Sequence, residues 1–142
     1  MKTIRLLVLL AGLAGLLAVG RAADRVSVHG ILISASNESG ESDRRLAAFV
    51  PNLKRILRFE SFHFLGEDSV ALAVPGNGAL ALGDGQNVEL ATESSDGKTV
   101  LLKVRWGSVR HEYVLQRSGT TVLGGPSTGR KGEVYAVILS GG

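Results

Sequence analysis

The 142-residue sequence contains no cysteine. That one absence excludes disulfide staples, thiolate metal sites, a cysteine nucleophile and a lipoprotein acylation site. Whichever compartment the chain occupies, its core must hold it without covalent help. Aromatic side chains are scarce too: four Phe, two Tyr and one Trp. A sugar-stacking face has little to be made from. Only one long apolar run exists, Leu6–Val19, so nothing after it spans a membrane.

That run sits behind Lys2 and Arg5 and ahead of the small residues Gly20 and Ala22. A positive n-region, an apolar h-region of about 14 residues and a small-residue cleavage site predict an export signal over 1–22. The expected mature chain, 23–142, is one exported domain, periplasmic or extracellular. About 120 residues suffice for a single core and are few for two. Residue usage rich in Leu, Ala, Gly and Arg is compatible with a bacterial source.

Cleavage also changes the charge argument. The whole chain carries 16 Lys and Arg against 13 Asp and Glu, but Lys2, Arg5 and Arg21 leave with the signal. The remainder nets zero, which removes the electrostatic basis for nucleic-acid binding.

Arg25–Ser36 reads as a strand with Val26, Val28 and Leu32 on one face and His29, Ile31, Ile33 and Ala35 on the other. Apolar residues on both faces predict a central strand covered from each side. After a polar loop, Asn37–Ser42, either Ser42 or Asp43 is placed to cap a helix. Arg44–Arg58 then repeats with helical period, its stripe being Leu46, Phe49, Val50, Leu53, Ile56 and Leu57. Pro51 is expected to kink this helix, which should lie across the sheet.

Beyond the helix come short strands and tight turns: Phe59–Leu65, Ser69–Val74, Ala79–Leu82, Gln86–Glu93, Lys98–Trp106 and onward to Glu133–Leu139. A two-residue loop at Gly107-Ser108 pairs Trp106 with Val109, Val104 with His111, Leu102 with Tyr113 and Val100 with Leu115. That side should face inward. The other side sets Lys103 against Glu112, and Arg105 against Arg110, a like-charge pair that needs an acid or solvent. Ser118-Gly119 reads as a further hairpin leading to Thr120–Leu123. The expected fold is mainly β: an antiparallel sandwich or partly open barrel of about nine short strands with one amphipathic helix packed on it.

Several motifs invite a chemical reading. Gly124–Gly132 is glycine-rich, but Arg130 follows the second P-loop-like Gly, Lys131 takes the Ser/Thr position, and a strand follows. A β-connecting loop is expected there. His29, His63 and His111 lie on separate strands without the short spacing of zinc motifs, and no serine–acid constellation or Gly-x-Ser-x-Gly elbow accompanies them. Asn37, Glu38, Glu41 and Asp43 crowd one loop in a spacing unlike a calcium loop; Asn37-Glu38-Ser39 is also a glycosylation sequon, meaningful only in a eukaryotic secretory pathway. Arg44, Arg45, Lys54, Arg55 and Arg58 form the one concentrated charge feature, a candidate partner-binding face. No catalytic, cofactor or metal site is assigned.

Ile31-Leu32-Ile33-Ser34-Ala35-Ser36-Asn37, then Arg45-Leu46, Leu53, Ile56-Leu57-Arg58-Phe59, Ser61-Phe62 and Gly124-Gly125-Pro126 resemble small exported bacterial β-rich proteins of uncharacterised function. The resemblance implies a signal peptide, a strand ending in Ala-Ser-Asn, an amphipathic helix and a β-rich remainder, and it implies no activity. Taken with the residues, the expected function is a non-enzymatic binding or assembly domain of the envelope or extracellular space, whose partner is an envelope protein or another copy of itself. The alternatives are a carbohydrate-binding module, which Trp106 and Tyr113 exposed in one groove would support, and a small metal-dependent or hydrolytic enzyme. The enzyme would need the histidines to converge, or one of them to pair with Glu112 or Asp84.

Overall fold

In the computed structural model, which describes residues 25–38, 40–95 and 98–141, strand β1 (Arg25–Ser36) has an antiparallel partner on each side. Its two apolar faces require that position. The neighbours are β2 (Ser61–Ala73) and β8 (Glu133–Gly141), and β7 (Thr120–Ser127) completes a sheet of order β2-β1-β8-β7. The second sheet is a meander of β3 (Gly76–Gly83), β4 (Gln86–Ser95), β5 (Thr99–Trp106) and β6 (Val109–Gln116). The two sheets enclose a core that includes Val26, Val28, Leu32, Leu72, Leu80, Val88, Leu102 and Val137. No strand pairing joins one sheet to the other, so the architecture is a sandwich rather than a barrel. The expected signal at 1–22 lies outside the described residues, as do Ser39 and Asp96-Gly97. Among the described residues no helix is long and apolar enough to cross a membrane.

The described residues hold eight strands where about nine are expected, because the segments predicted at 59–65 and 69–74 are one strand. Gly66-Glu67-Asp68 has the composition of a turn but continues β2. Register explains how: Leu32 faces Gly66 and Ile33 faces Phe64, leaving Leu65 as a bulge. The bulge resets the alternation. Phe62 and Phe64 belong to the outer cluster, while Val70 and Leu72 belong to the cluster between the sheets. At Gly66 a Cβ would stand 1.9 Å from the carbonyl oxygen of Leu82, so only glycine admits β3 this close. Asp68 Oδ2 accepts from the backbone N–H of Ala81 at 2.9 Å, tying β2 and β3 together along that side.

The helix is shorter than its periodicity suggests. Arg44–Leu46 is a 3-10 turn, and helix α1 runs only over Val50–Leu57. Pro51 falls in the first turn of α1, where its missing N–H has no intrahelical acceptor to lose, so it starts the helix instead of kinking it. Asp43 caps the 3-10 turn, accepting from the N–H of Arg45 at 3.1 Å. Arg58 ends α1 in the left-handed region, φ 57°. Leu46 and Leu53 are fully buried against Ile31, Ile33, Phe62, Ala136 and Ile138, forming a second core on the outer face of the first sheet. Burying Leu53 alone stabilises this layer by roughly 1.5–3 kcal/mol. Ile56, expected in the stripe, is half exposed: three residues on from the buried Leu53, it sits about 60° round α1, at the margin of the covered arc.

The β5–β6 register is as expected, from Trp106 opposite Val109 to Val100 opposite Leu115. The next connection is not a hairpin. Residues 117–119 carry the chain across to the first sheet, where β7 pairs with β8. The side chains of β7 account for this: Leu123 enters the inter-sheet core and Val122 packs in the helix layer, and only the first sheet has a layer on each face. Gly124–Ser127, expected as loop, is the end of β7, with Gly125 beneath the ring of Trp106.

Candidate functional site: the outer face of the second sheet

Because α1 covers the first sheet, the outer face of the second is left open. Its side chains fall in two cross-strand rows. Ala79, Glu89, Arg105 and Arg110 make one, and Asn77, Ala91, Lys103 and Glu112 the other. Short side chains on β3 and β4 beside long ones on β5 and β6 leave a groove of about 950 Å³, floored by Gly78, Ala79 and Ala91. Its wall carries charges of both signs. Lys103 Nζ lies 2.7 Å from Glu93 and 3.7 Å from Glu112, and the hydrogen bond to Glu93 is the main reason its pKa is raised. Arg105 lies 3.8 Å from Glu89, which supplies the acid its pairing with Arg110 calls for. Among the described residues no carboxylate lies within ion-pair distance of Arg110 itself.

The groove has no Phe, Tyr or Trp in its lining. Trp106 is buried, its indole N–H donating to Gln86 Oε1 at 3.0 Å. Tyr113 is half-buried with its ring 5.7 Å from that of His111. The two rings are thus not exposed together in one groove, the arrangement that would support a carbohydrate-binding module. His111, expected to face inward, is exposed; it lies on β6, an edge strand of the second sheet.

The three histidines do not converge. His63 sits opposite Ser34 on β1, six residues along β2 from the partner of His29, and His111 is in the other sheet. The described residues hold no group of three His, Asp or Glu side chains arranged to bind a metal. Asp84 takes the hydroxyl of Tyr135 at 2.5 Å instead of a histidine.

One histidine does enter a serine–acid arrangement, contrary to the sequence reading. His29 Nδ1 is 2.5 Å from Ser69 Oγ, and its Nε2 is 3.1 Å from Glu67 Oε2. The Leu65 bulge puts Ser69 directly opposite His29, and no local spacing betrays it. This chain of three lies on the part of the first sheet that α1 leaves uncovered, with the His29 and Glu67 side chains 39% and 53% exposed. None of the three lines the groove above or the smaller ones beside α1 and Trp106.

The basic face is dispersed. Arg44, Arg45, Lys54, Arg55 and Arg58 are all exposed, but on two segments, not one helix. Arg45 binds Asp43 at 2.9 Å and stacks 4.0 Å over the Phe64 ring; Lys54 approaches Glu60 at 3.7 Å; Arg55 donates to Asn52 at 3.2 Å. The 37–42 loop spends polar atoms on β2: Asn37 Oδ1 accepts from the N–H of Glu60, and Ser42 Oγ from that of Phe62, both at 3.1 Å. In the glycine-rich segment Thr128 donates to Glu133 at 2.9 Å and accepts from the N–H of Arg130, closing a turn before β8.

No family model matches the chain, and no curated protein or solved structure matches it.

Proposed function

We propose that the chain is a non-enzymatic binding or assembly domain, exported to the bacterial envelope or the extracellular space, and that it holds its ligand on the outer face of β3–β6. One observation carries this reading: an open groove of about 950 Å³ whose rows of Glu, Lys and Arg are fixed by a rigid four-stranded sheet. Side chains already ordered by strand pairing lose little further freedom on binding, which favours recognition of an extended ligand. Alternating charge favours one that carries carboxylates and amines together. The test is titration of isotope-labelled residues 23–142 with soluble peptidoglycan fragments, which carry both groups, and with neutral dextran. Resonance shifts at Ala79, Ala91, Lys103 and Arg105 with the fragments alone support the reading. Shifts with dextran alone return the carbohydrate module, and none with either removes the groove as a site.

The cluster of Ser69, His29 and Glu67 favours a second reading, a hydrolase. His29 would accept the Ser69 proton as the hydroxyl attacks an ester carbonyl and return it to the departing alcohol, with Glu67 orienting the ring, and water would then hydrolyse the acyl-serine. Turnover of p-nitrophenyl acetate above buffer, lost in both Ser69→Ala and His29→Ala, would establish it; no turnover would end it.

A further inference from the structure

Among the described residues, β6 is the one long regular edge left open of the four edge strands in the two sheets. β2 and β3 close against each other through Gly66 and Asp68. The β7 edge is broken by the register shift between Gly124 and Ser127, which contains Pro126. By contrast, β6 pairs with β5 without interruption over all eight residues and contains no proline. In a hairpin with a two-residue loop, Trp106 and Val109 form the hydrogen-bonded pair. Arg110, Glu112 and Val114 then direct their N–H and C=O groups away from β5, toward the open edge.

Charged side chains commonly protect such an edge by repelling another strand. Here the charges are self-complementary. Arg110 faces Arg105 and has no acid of its own among the described residues. Glu112 is the distant partner of a lysine that Glu93 already holds at 2.7 Å. A twofold axis through His111 sets Arg110 of each copy opposite Glu112 of the other, and it places those two residues in the hydrogen-bonded positions. An axis through Glu112 would oppose Glu112 to itself, and one through Arg110 would oppose Arg110 to itself. Only the His111 axis matches the two leftover charges.

We propose that the chain forms a twofold homodimer by antiparallel pairing of β6 with β6 of a second copy, in the register that places Arg110 opposite Glu112. The two outer sheets become one eight-stranded surface, and Val114, 68% exposed, comes to lie opposite Ser108 of the second copy. This inference does not rest on the groove ligand, because self-association is measured without one.

The test is sedimentation velocity of residues 23–142 across micromolar to millimolar concentration, joined to amide hydrogen exchange at both ends of that range. The expected result is a dimer in which the amides of Arg110, Glu112 and Val114 exchange more slowly at high concentration. Glu112→Arg turns both attractive pairs repulsive and should weaken association by about tenfold or more, while the exchanged pair R110E/E112R restores it. Both substituted side chains are exposed, so circular dichroism should show the same fold in each variant. A monomer at every concentration overturns the proposal. So does a dimer whose new protection lies away from β6, or one that Glu112→Arg leaves intact.

Discussion

The indole of Trp106 lies directly over Gly125: a Cβ at position 125 would meet ring carbon Cη2 at 2.3 Å. Trp106 cannot easily retreat, being buried, hydrogen-bonded to Gln86 and packed 6.5 Å from the ring of Tyr135. Gly125→Ala should therefore cost on the order of 1–3 kcal/mol through overpacking. Gly66→Ala should cost more, since its neighbour is a backbone carbonyl at 1.9 Å that no rotamer change can move. Urea unfolding followed by the fluorescence of the single tryptophan reads both. Equal stability of Gly66→Ala and the parent would show that β2 and β3 do not meet this closely.

Leu53 and Ile56 look alike in the helical stripe and should behave differently. Leu53 is fully buried, and Leu53→Ala is expected to cost about 2–5 kcal/mol. Ile56 is half exposed, and Ile56→Ala should stay within about 0.5 kcal/mol. Chemical denaturation of the two variants side by side checks the phase of α1.

Asp43 makes the domain sensitive to acid. The hydrogen bond from the Arg45 side chain, followed by that from the Arg45 backbone N–H, holds its carboxyl at about 2 against an ordinary 3.8. A depressed folded value means the contribution is present above pH 3.8 and is lost as pH falls through about 2. Urea midpoints should decline across that window, and Asp43→Asn should flatten the profile there. A variant profile parallel to the parent would remove the cap from the account.

Both tyrosines should resist alkaline ionisation. Burial raises the pKa of Tyr113, and the hydrogen bond to Asp84, then burial, raises that of Tyr135 above the ordinary 10.0. With raised folded values, the folded state keeps these protons longer, so stability is full below pH 10.0 and declines as the pH rises further. Phenolate absorbance should lag behind that of the unfolded chain. Asp84→Asn should advance Tyr135 alone; if both tyrosines or neither respond, the Tyr135–Asp84 contact is misassigned.

The parts readable from the chain are those set by short-range rules. Apolar residues on both faces mark β1 as a central strand, since only a two-sided layer accommodates Ile31 beside Leu32. The glycine turn at 107 fixes eight residue pairs by counting, down to Arg105 opposite Arg110. The sequence narrows the cap to Ser42 or Asp43, and the structure gives it to Asp43. Spacing therefore determined a mainly β fold with a covering helix and the β5–β6 charge pairs, while the choice of sandwich over barrel came from the two separate sheets.

Tertiary structure decided the rest. The bulge at Leu65 places Ser69 against His29, the arch at 117–119 sends β7 to β8, and the packing of α1 on the first sheet buries Leu53 while leaving Ile56 half exposed. Each depends on a strand or layer far away in sequence. A one-residue slip in a β ladder moves every later side chain to the opposite face, so local pattern cannot forecast it.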